Sequence, residues 1–159
     1  RGSSPVKTWL VSRCLLGEAC RYDGQAKGND RIQSLLKGKI RIVPVCPECD
    51  GGLPVPRTPS EIQGGDGADV LRGAARVVSV DGEDRTETFV CGARLAVETA
   101  RREGAEVALL KAKSPSCGIG RIYDGSFTGR LREGDGVAAA ALRAAGLAIH
   151  SETDFPAEI

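Results

Sequence analysis

VPVCPECDGGL, residues 43–53, ends a mostly apolar run that begins at Ile40. The run predicts a buried strand, Ile40–Val45, and the Pro and Gly residues that follow it predict a turn. This turn presents two thiols, Cys46 and Cys49, on either side of the Glu48 carboxylate. Soft ligands and a potential general base this close together indicate one wall of a metal-dependent active site.

Strands and helices alternate on both sides of this turn. Further extended segments are predicted over residues 6–12, 75–80, 107–112 and 147–150. Helices are predicted from 29 or 30 to 37, from Thr86 or Thr88 to Arg102, and over 136–145. Loops are expected over residues 15–24, 50–73 and 121–130. The alternation is typical of an α/β protein, here a single three-layer Rossmann-like domain over residues 6–152 with a mostly parallel sheet. Residues 1–5 and 153–159 are expected to be tails.

The composition is that of an ordinary globular protein, and its charges exclude some classes of partner. The 22 basic and 21 acidic residues nearly cancel, so we expect no whole nucleic acid as partner. No apolar run approaches the roughly 18 residues of a membrane span, so we expect no membrane partner. We recognise no signal peptide and expect a cytoplasmic monomer or dimer. In that compartment the six cysteines are expected to be metal ligands, catalytic groups or core residues, and Cys91 a buried core thiol.

Three of the predicted strands are each followed within a few residues by a cysteine. These cysteines are Cys14, Cys46 and Cys117. Ligands of parallel α/β sheets bind beyond the carboxyl ends of the strands, so the three thiols predict a three-thiolate metal site there. Because the chain contains only one His, such a site must rest on sulfur and perhaps oxygen.

Spacing alone leaves several kinds of thiol chemistry open. A zinc-stabilised binding module needs four closed ligands, and only Cys46 and Cys49 have the spacing of a zinc knuckle. A zinc deaminase is excluded because its P-C-x-x-C motif is absent: Val45 separates Pro44 from Cys46. A thiol redox or sulfur-carrier protein would place Cys46 and Cys49 at a helix start, where we expect no helix. A four-iron cluster held by three thiolates would leave one iron open to substrate.

Several short motifs also occur together and in a specific order. They are CLLG at 14–17, CRYDG at 20–24, PVCPE at 44–48, GGL at 51–53, PR at 56–57, EI at 61–62, KSPSCG at 113–118 and YDG at 123–125. In this combination the chain resembles the bacterial thiouracil desulfidase (TudS-like) family over nearly its whole length. The resemblance implies a [4Fe-4S] cluster held by Cys14, Cys46 and Cys117, with one open iron. It implies non-redox desulfuration of a small thiolated pyrimidine, 2- or 4-thiouracil, to uracil and sulfide.

The resemblance also implies roles for side chains beside the cluster. Glu48 would match the acid/base residue that deprotonates the attacking water, and Ser114 a hydroxyl of the same pocket. Cys20 and Cys49 are expected to line the pocket without binding metal. For Arg57, substrate orientation and a loop ion pair remain equal alternatives. The candidates for substrate binding are Ser116, Arg21, Tyr22 and Asp23.

Overall fold

The computed structural model describes residues 7–16, 40–55 and 57–151, without the side chains of Cys14 and Leu16. Among these residues, the strands are β1 (Lys7–Ser12), β2 (Ile40–Val45), β3 (Ser60–Gln63), β4 (Arg76–Ser79), β5 (Val107–Leu110), β6 (Arg121–Tyr123), β7 (Leu131–Glu133) and β8 (Ala148–Ser151). The helices are α1 (Pro47–Asp50), α2 (Gly67–Leu71), α3 (Thr86–Glu103) and α4 (Val137–Ala144), and Arg13–Leu16 forms a 3₁₀ turn. None of the described helices is long and apolar enough to span a membrane.

The central sheet has four parallel strands in the order β2-β1-β5-β8, which confirms the predicted α/β class with a mostly parallel sheet. The strand β1 pairs with β2 on one side and with β5 on the other, so it marks the topological switch point of the sheet. Ser12 lies opposite Val45, and Val11 lies opposite Leu109. The carboxyl ends of these three strands therefore meet at one edge, as the positions of the cysteines predicted.

The long helix α3 and the Ala-rich helix α4 cover one face of the sheet. Their contact with Leu10 and Leu110 consists largely of Ala side chains, which allow close approach of helix and sheet. Each fully buried Leu contributes about 1.5–3 kcal/mol to folding. The other face presents Trp9, Val11 and Leu109 to a second apolar cluster. The helix predicted to end at residue 37 lies outside the described residues.

Two predicted loops contain regular structure. Residues 50–73 include β3, which pairs antiparallel with β4, and α2, which begins with a capping box formed by Asp66 and Asp69. Residues 121–130 include β6, which forms an antiparallel hairpin with β7. Both loop predictions were wrong because these elements are short, lie among many Gly residues and lack the apolar runs that mark the strands of the central sheet.

One of our alternatives predicted that the side chain of Thr86 caps α3, and this prediction was wrong. The Thr86 hydroxyl instead accepts a hydrogen bond from the Val77 backbone N–H at 3.0 Å, which ties the helix start to β4. Arg85 occupies the N-cap position without a capping side-chain bond, and Asp84 accepts the backbone N–H of Thr86 at 2.9 Å. Asp84, two positions before Thr86, therefore caps the start of the helix.

Candidate active site

A cavity of about 660 Å³ opens where the carboxyl ends of β1, β2 and β5 meet. Its size is that of a pocket for one small molecule. The segments that follow these three strands form much of its wall, and β3 and the β6–β7 loop complete it. The lining residues are Ser12, Arg13, Val45, Cys46, Pro47, Glu48, Arg57, Pro59, Ser60, Glu61, Val80, residues 111–117, Tyr123, Phe127 and Gly129.

Cys46 and Glu48 are positioned by the one-turn helix α1, where we expected only a turn. Cys46 is the N-cap, Pro47 begins the helix with its fixed φ, and the Cys46 N–H donates to Asp50 Oδ2 at 3.1 Å. The expectation that no helix starts here was therefore wrong, because the Gly-Gly pair ends this helix rather than preventing it. A Cβ on Gly92 of α3 would lie 2.0 Å from the Pro47 carbonyl oxygen, so α1 packs directly on that glycine.

The Glu48 carboxylate is held on both of its oxygens. Arg57 donates to Oε1 from Nη2 at 3.0 Å and from Nε at 3.1 Å. Ser116 Oγ lies 2.9 Å from Oε2, and Ser114 Oγ lies 3.3 Å from it. The Arg57 side chain is 3% exposed and that of Glu48 15% exposed. Burial disfavours the charged guanidinium, but the charge and hydrogen bonds of Glu48 outweigh it and raise the pKa of Arg57.

The segment after β5 forms a tight turn around the Ser114 hydroxyl. Ser114 Oγ accepts the backbone N–H of Ser116 at 3.0 Å and that of Cys117 at 3.1 Å. These two bonds use both lone pairs of the oxygen, so Ser114 must donate its own proton. The shortest acceptor is Ser116 Oγ at 2.9 Å, and Ser116 in turn donates to Glu48. The geometry therefore favours one directed chain of hydroxyls that ends on the carboxylate.

The two described strand-end thiols, Cys46 and Cys117, are both buried. Burial raises the pKa of Cys117 to about 12, and hydrogen bonds from Ser12 and Ser116 to its sulfur, both 3.6 Å, lower it only in part. Burial and the neighbouring Cys46 also raise the pKa of Cys49 to about 11.

The structure brings most of the describable site residues to one cavity. Cys46, Glu48, Ser114, Ser116 and Cys117 all line it. Cys14 follows β1 within the 3₁₀ turn, but its side chain lies outside the description. The candidates Cys20, Arg21, Tyr22 and Asp23 also lie outside the described residues.

The donor set fits a cluster that is held by thiolates. Cys46 and Cys117 follow β2 and β5, and the strand between these two leads to Cys14. Within the described side chains, no three His, Cys, Asp or Glu residues come together as a metal site. Two buried sulfurs, and Cys14 in the 3₁₀ turn after the intervening strand, are donors of the type that holds an iron–sulfur cluster.

Cys91 lies exposed on α3, so the prediction of a buried core thiol was wrong. Phe89 and Ala93, two positions away on either side, face the core, and the helical period turns Cys91 outward. Sequence reasoning also missed Glu61 and Phe127 as cavity residues. Their only sequence signal was that they lie in or close to the EI and YDG motifs.

Comparison with known proteins identifies the family. The family model described as 2-thiouracil desulfurase matches residues 9–154. "Uncharacterized protein YbbK" of Bacillus subtilis (strain 168) is 45% identical over 146 residues, which are 92% of this chain and 96% of that protein. A solved structure titled "[4Fe-4S]-dependent thiouracil desulfidase TudS" matches with a TM-score of 0.80 and 42% identity, covering 92% of this chain and 91% of that one. The chain belongs to the 2-thiouracil desulfurase family.

Proposed function

We propose that the protein is a [4Fe-4S]-dependent enzyme that removes sulfur from a thiolated pyrimidine without net redox change. The substrates are 2- or 4-thiouracil, and the products are uracil and sulfide. Membership of the 2-thiouracil desulfurase family and similarity to a structure titled as a [4Fe-4S]-dependent thiouracil desulfidase support this function. The observation that carries the proposal is the Glu48 carboxylate, held by Arg57 and Ser116 in the same cavity as two buried thiols.

Cys14, Cys46 and Cys117 would hold the cluster through three of its irons. When bound, the cluster supplies a Lewis-acidic iron with affinity for the soft thiocarbonyl sulfur. The two described ligands lie buried at the carboxyl edge of the sheet, where the strands can fix their spacing. The protein residues around this site then have to supply a water nucleophile and manage its protons.

Glu48 is the proposed general base for that water. An ionised carboxylate offers about four lone-pair sites. Arg57 occupies Oε1 through two N–H groups, and Ser116 occupies one site on Oε2. When Ser114 donates to Ser116, a second site on Oε2 remains for a water in the cavity. The pair with Arg57 also restrains rotation of the carboxylate, which keeps this site pointing in one direction.

Ser116 is the proposed direct partner of Glu48, with Ser114 as the anchor of the turn. The Ser116 hydroxyl lies 2.9 Å from Glu48 Oε2 and 3.6 Å from the Cys117 sulfur, so it can turn its proton from one to the other. We expect S116A to lower kcat more than S114A at equal cluster content. We expect S114A to lower cluster content more, because it removes the acceptor of two backbone N–H groups in the ligand turn. A lower kcat in S114A and a lower cluster content in S116A would instead make Ser114 the partner of Glu48 and Ser116 the anchor of the turn.

Anaerobic reconstitution tests the function directly. We expect brown protein with absorbance at roughly 400 nm and about four irons per chain. That protein should convert thiouracil to uracil and sulfide without added reductant. Colourless protein with one tightly bound zinc would instead support a zinc-stabilised binding module, and a metal-free dithiol would support a redox or sulfur-carrier protein.

The variant E48Q separates catalysis from cluster binding. Gln keeps the size of the side chain and still accepts hydrogen bonds, but it is a far weaker base. We expect full iron content and a loss of kcat of about 10²–10⁴-fold, the range typical of a general base. The exposed C91S variant is the control and should keep both iron and turnover. Loss of iron in E48Q would assign Glu48 to cluster binding instead of catalysis.

A further inference from the structure

The loop between β6 and β7 carries a phenylalanine in an unusual backbone conformation at the cavity. Phe127 has φ 58°, in the left-handed region that bulky residues avoid. Within the described part of the chain, the other non-glycine residue with positive φ is Lys113, and both line the cavity. A strained conformation persists only where surrounding contacts enforce it, and such residues concentrate at functional sites.

The contacts that enforce this conformation come from β3. The buried Glu61 carboxylate accepts the backbone N–H of Gly125 at 2.9 Å and that of Phe127 at 3.1 Å, both on Oε1. Gln63 donates to the Gly125 carbonyl oxygen at 3.0 Å. A Cβ on Gly125 would lie 2.5 Å from the Ile62 carbonyl oxygen, so the loop lies directly on the strand. A buried charge is thus used to hold two amides of this loop.

The aromatic side chains of the described residues divide into two groups. Trp9 and Phe89 are buried in the core. Tyr123 and Phe127 are partly buried and line the cavity. Charged and hydroxyl side chains make up a large part of the remaining lining. Tyr123 and Phe127 are therefore the aromatic residues that the described part of the chain brings to the cavity.

We infer that Phe127, together with Tyr123, forms the surface on which the ring of the substrate stacks, and that Glu61 is the residue that positions Phe127. This inference rests on the proposed function, because a thiolated pyrimidine is a flat ring with polar edges. Stacking on an aromatic side chain holds such a ring by its face and leaves the sulfur and nitrogens free to meet polar groups. The left-handed backbone at Phe127 is then the conformation that turns this ring surface toward the ligand.

The test measures binding of uracil by calorimetry and turnover of thiouracil, both with cluster-loaded protein. The variant F127N removes the ring, and Asn tolerates left-handed backbone, so we expect an unchanged or higher melting temperature. The Kd of uracil and the KM of thiouracil should rise about 5- to 150-fold, the range of base–aromatic stacking, with little change in kcat. F127W should restore affinity. L95N, at an exposed α3 site outside the cavity, is the control and should match the wild type.

Glu61 is tested by two variants of the same position. E61A removes the acceptor of both amides and should raise Kd as F127N does, whereas E61Q keeps an acceptor and should preserve most of the affinity. Wild-type Kd and KM in F127N, or a lowered melting temperature with unchanged Kd, would overturn the stacking role. Unchanged Kd in E61A would overturn the positioning role. Wild-type protein that desulfurises neither thiouracil would overturn the proposed function and, with it, this inference.

Discussion

Replacing Arg57 with Met shows how far the geometry of Glu48 depends on one ion pair. The two side chains are 3% and 15% exposed, and Arg57 makes contacts of 3.0 and 3.1 Å with Oε1. Removing one partner of a buried pair costs about 3–5 kcal/mol, because the remaining charge stays largely buried without its ion-pair partner. For a domain of this size, each kcal/mol lowers the melting temperature by about 2–4 °C, so we expect a decrease of roughly 6–20 °C.

The double variant R57M/E48Q makes this prediction specific to the pair. Gln carries no charge, so the double variant should melt at a higher temperature than R57M alone. R41M is the matched control, because the side chains of Arg41 and Glu103 are 50% and 30% exposed and the loss of this pair should cost less. The melting temperatures of the wild type, R57M, R57M/E48Q and R41M are measured by thermal unfolding of the metal-free proteins under anaerobic conditions. A double variant no more stable than R57M would refute the reasoning, since Glu48 would not then be the source of the cost.

Two further predictions concern the ligands and the packing of α1. C46S and C117S should each abolish the brown colour and the bound iron, whereas C49S should retain both; iron content decides, and loss of iron in C49S would make that thiol a ligand. In G92A the new methyl group would lie 2.0 Å from a backbone carbonyl oxygen of α1. We expect G92A to lower the free energy of unfolding by about 1–3 kcal/mol and to lower kcat, while the adjacent exposed C91A stays close to the wild type. A G92A variant that matches C91A in unfolding and turnover would contradict the packing described above.

The central sheet was predictable because its strands lie in largely apolar runs, such as IRIVPV of β2 and VALL of β5. Each predicted strand of the sheet lies within two residues of the observed bounds, and the order of strand-end cysteines along β1, β2 and β5 anticipated the cavity. The hairpin and β3 were not predictable, since segments such as SEIQ and LRE are short and mostly polar and do not form an apolar run. Long-range pairing, not local preference, makes these segments extended.

The candidate site also contains residues that the sequence predicts and residues that it does not. Glu48 and the two described cysteine positions were visible because residue type and spacing report their chemistry. The ion pair of Arg57 with Glu48 was not visible, because an ion pair between residues nine apart depends on how the intervening turn folds. The contribution of Gly92 was also hidden, since a glycine within a helical pattern carries no information about the element that packs on it.

The strand pairing also has a consequence for how the enzyme matures in the cell. Trp9 of β1 pairs with Val107 of β5, so the first proposed ligand meets the last only after most of the chain has left the ribosome. At ordinary rates of synthesis, roughly 5–20 s separate the appearance of Cys14 from that of Cys117. The three proposed ligands can therefore come together only after the chain has been made as far as Cys117 and β1 has paired with β5. Until then, burial raises the pKa of Cys117, and a protonated thiol reacts with oxidants more slowly than a thiolate does.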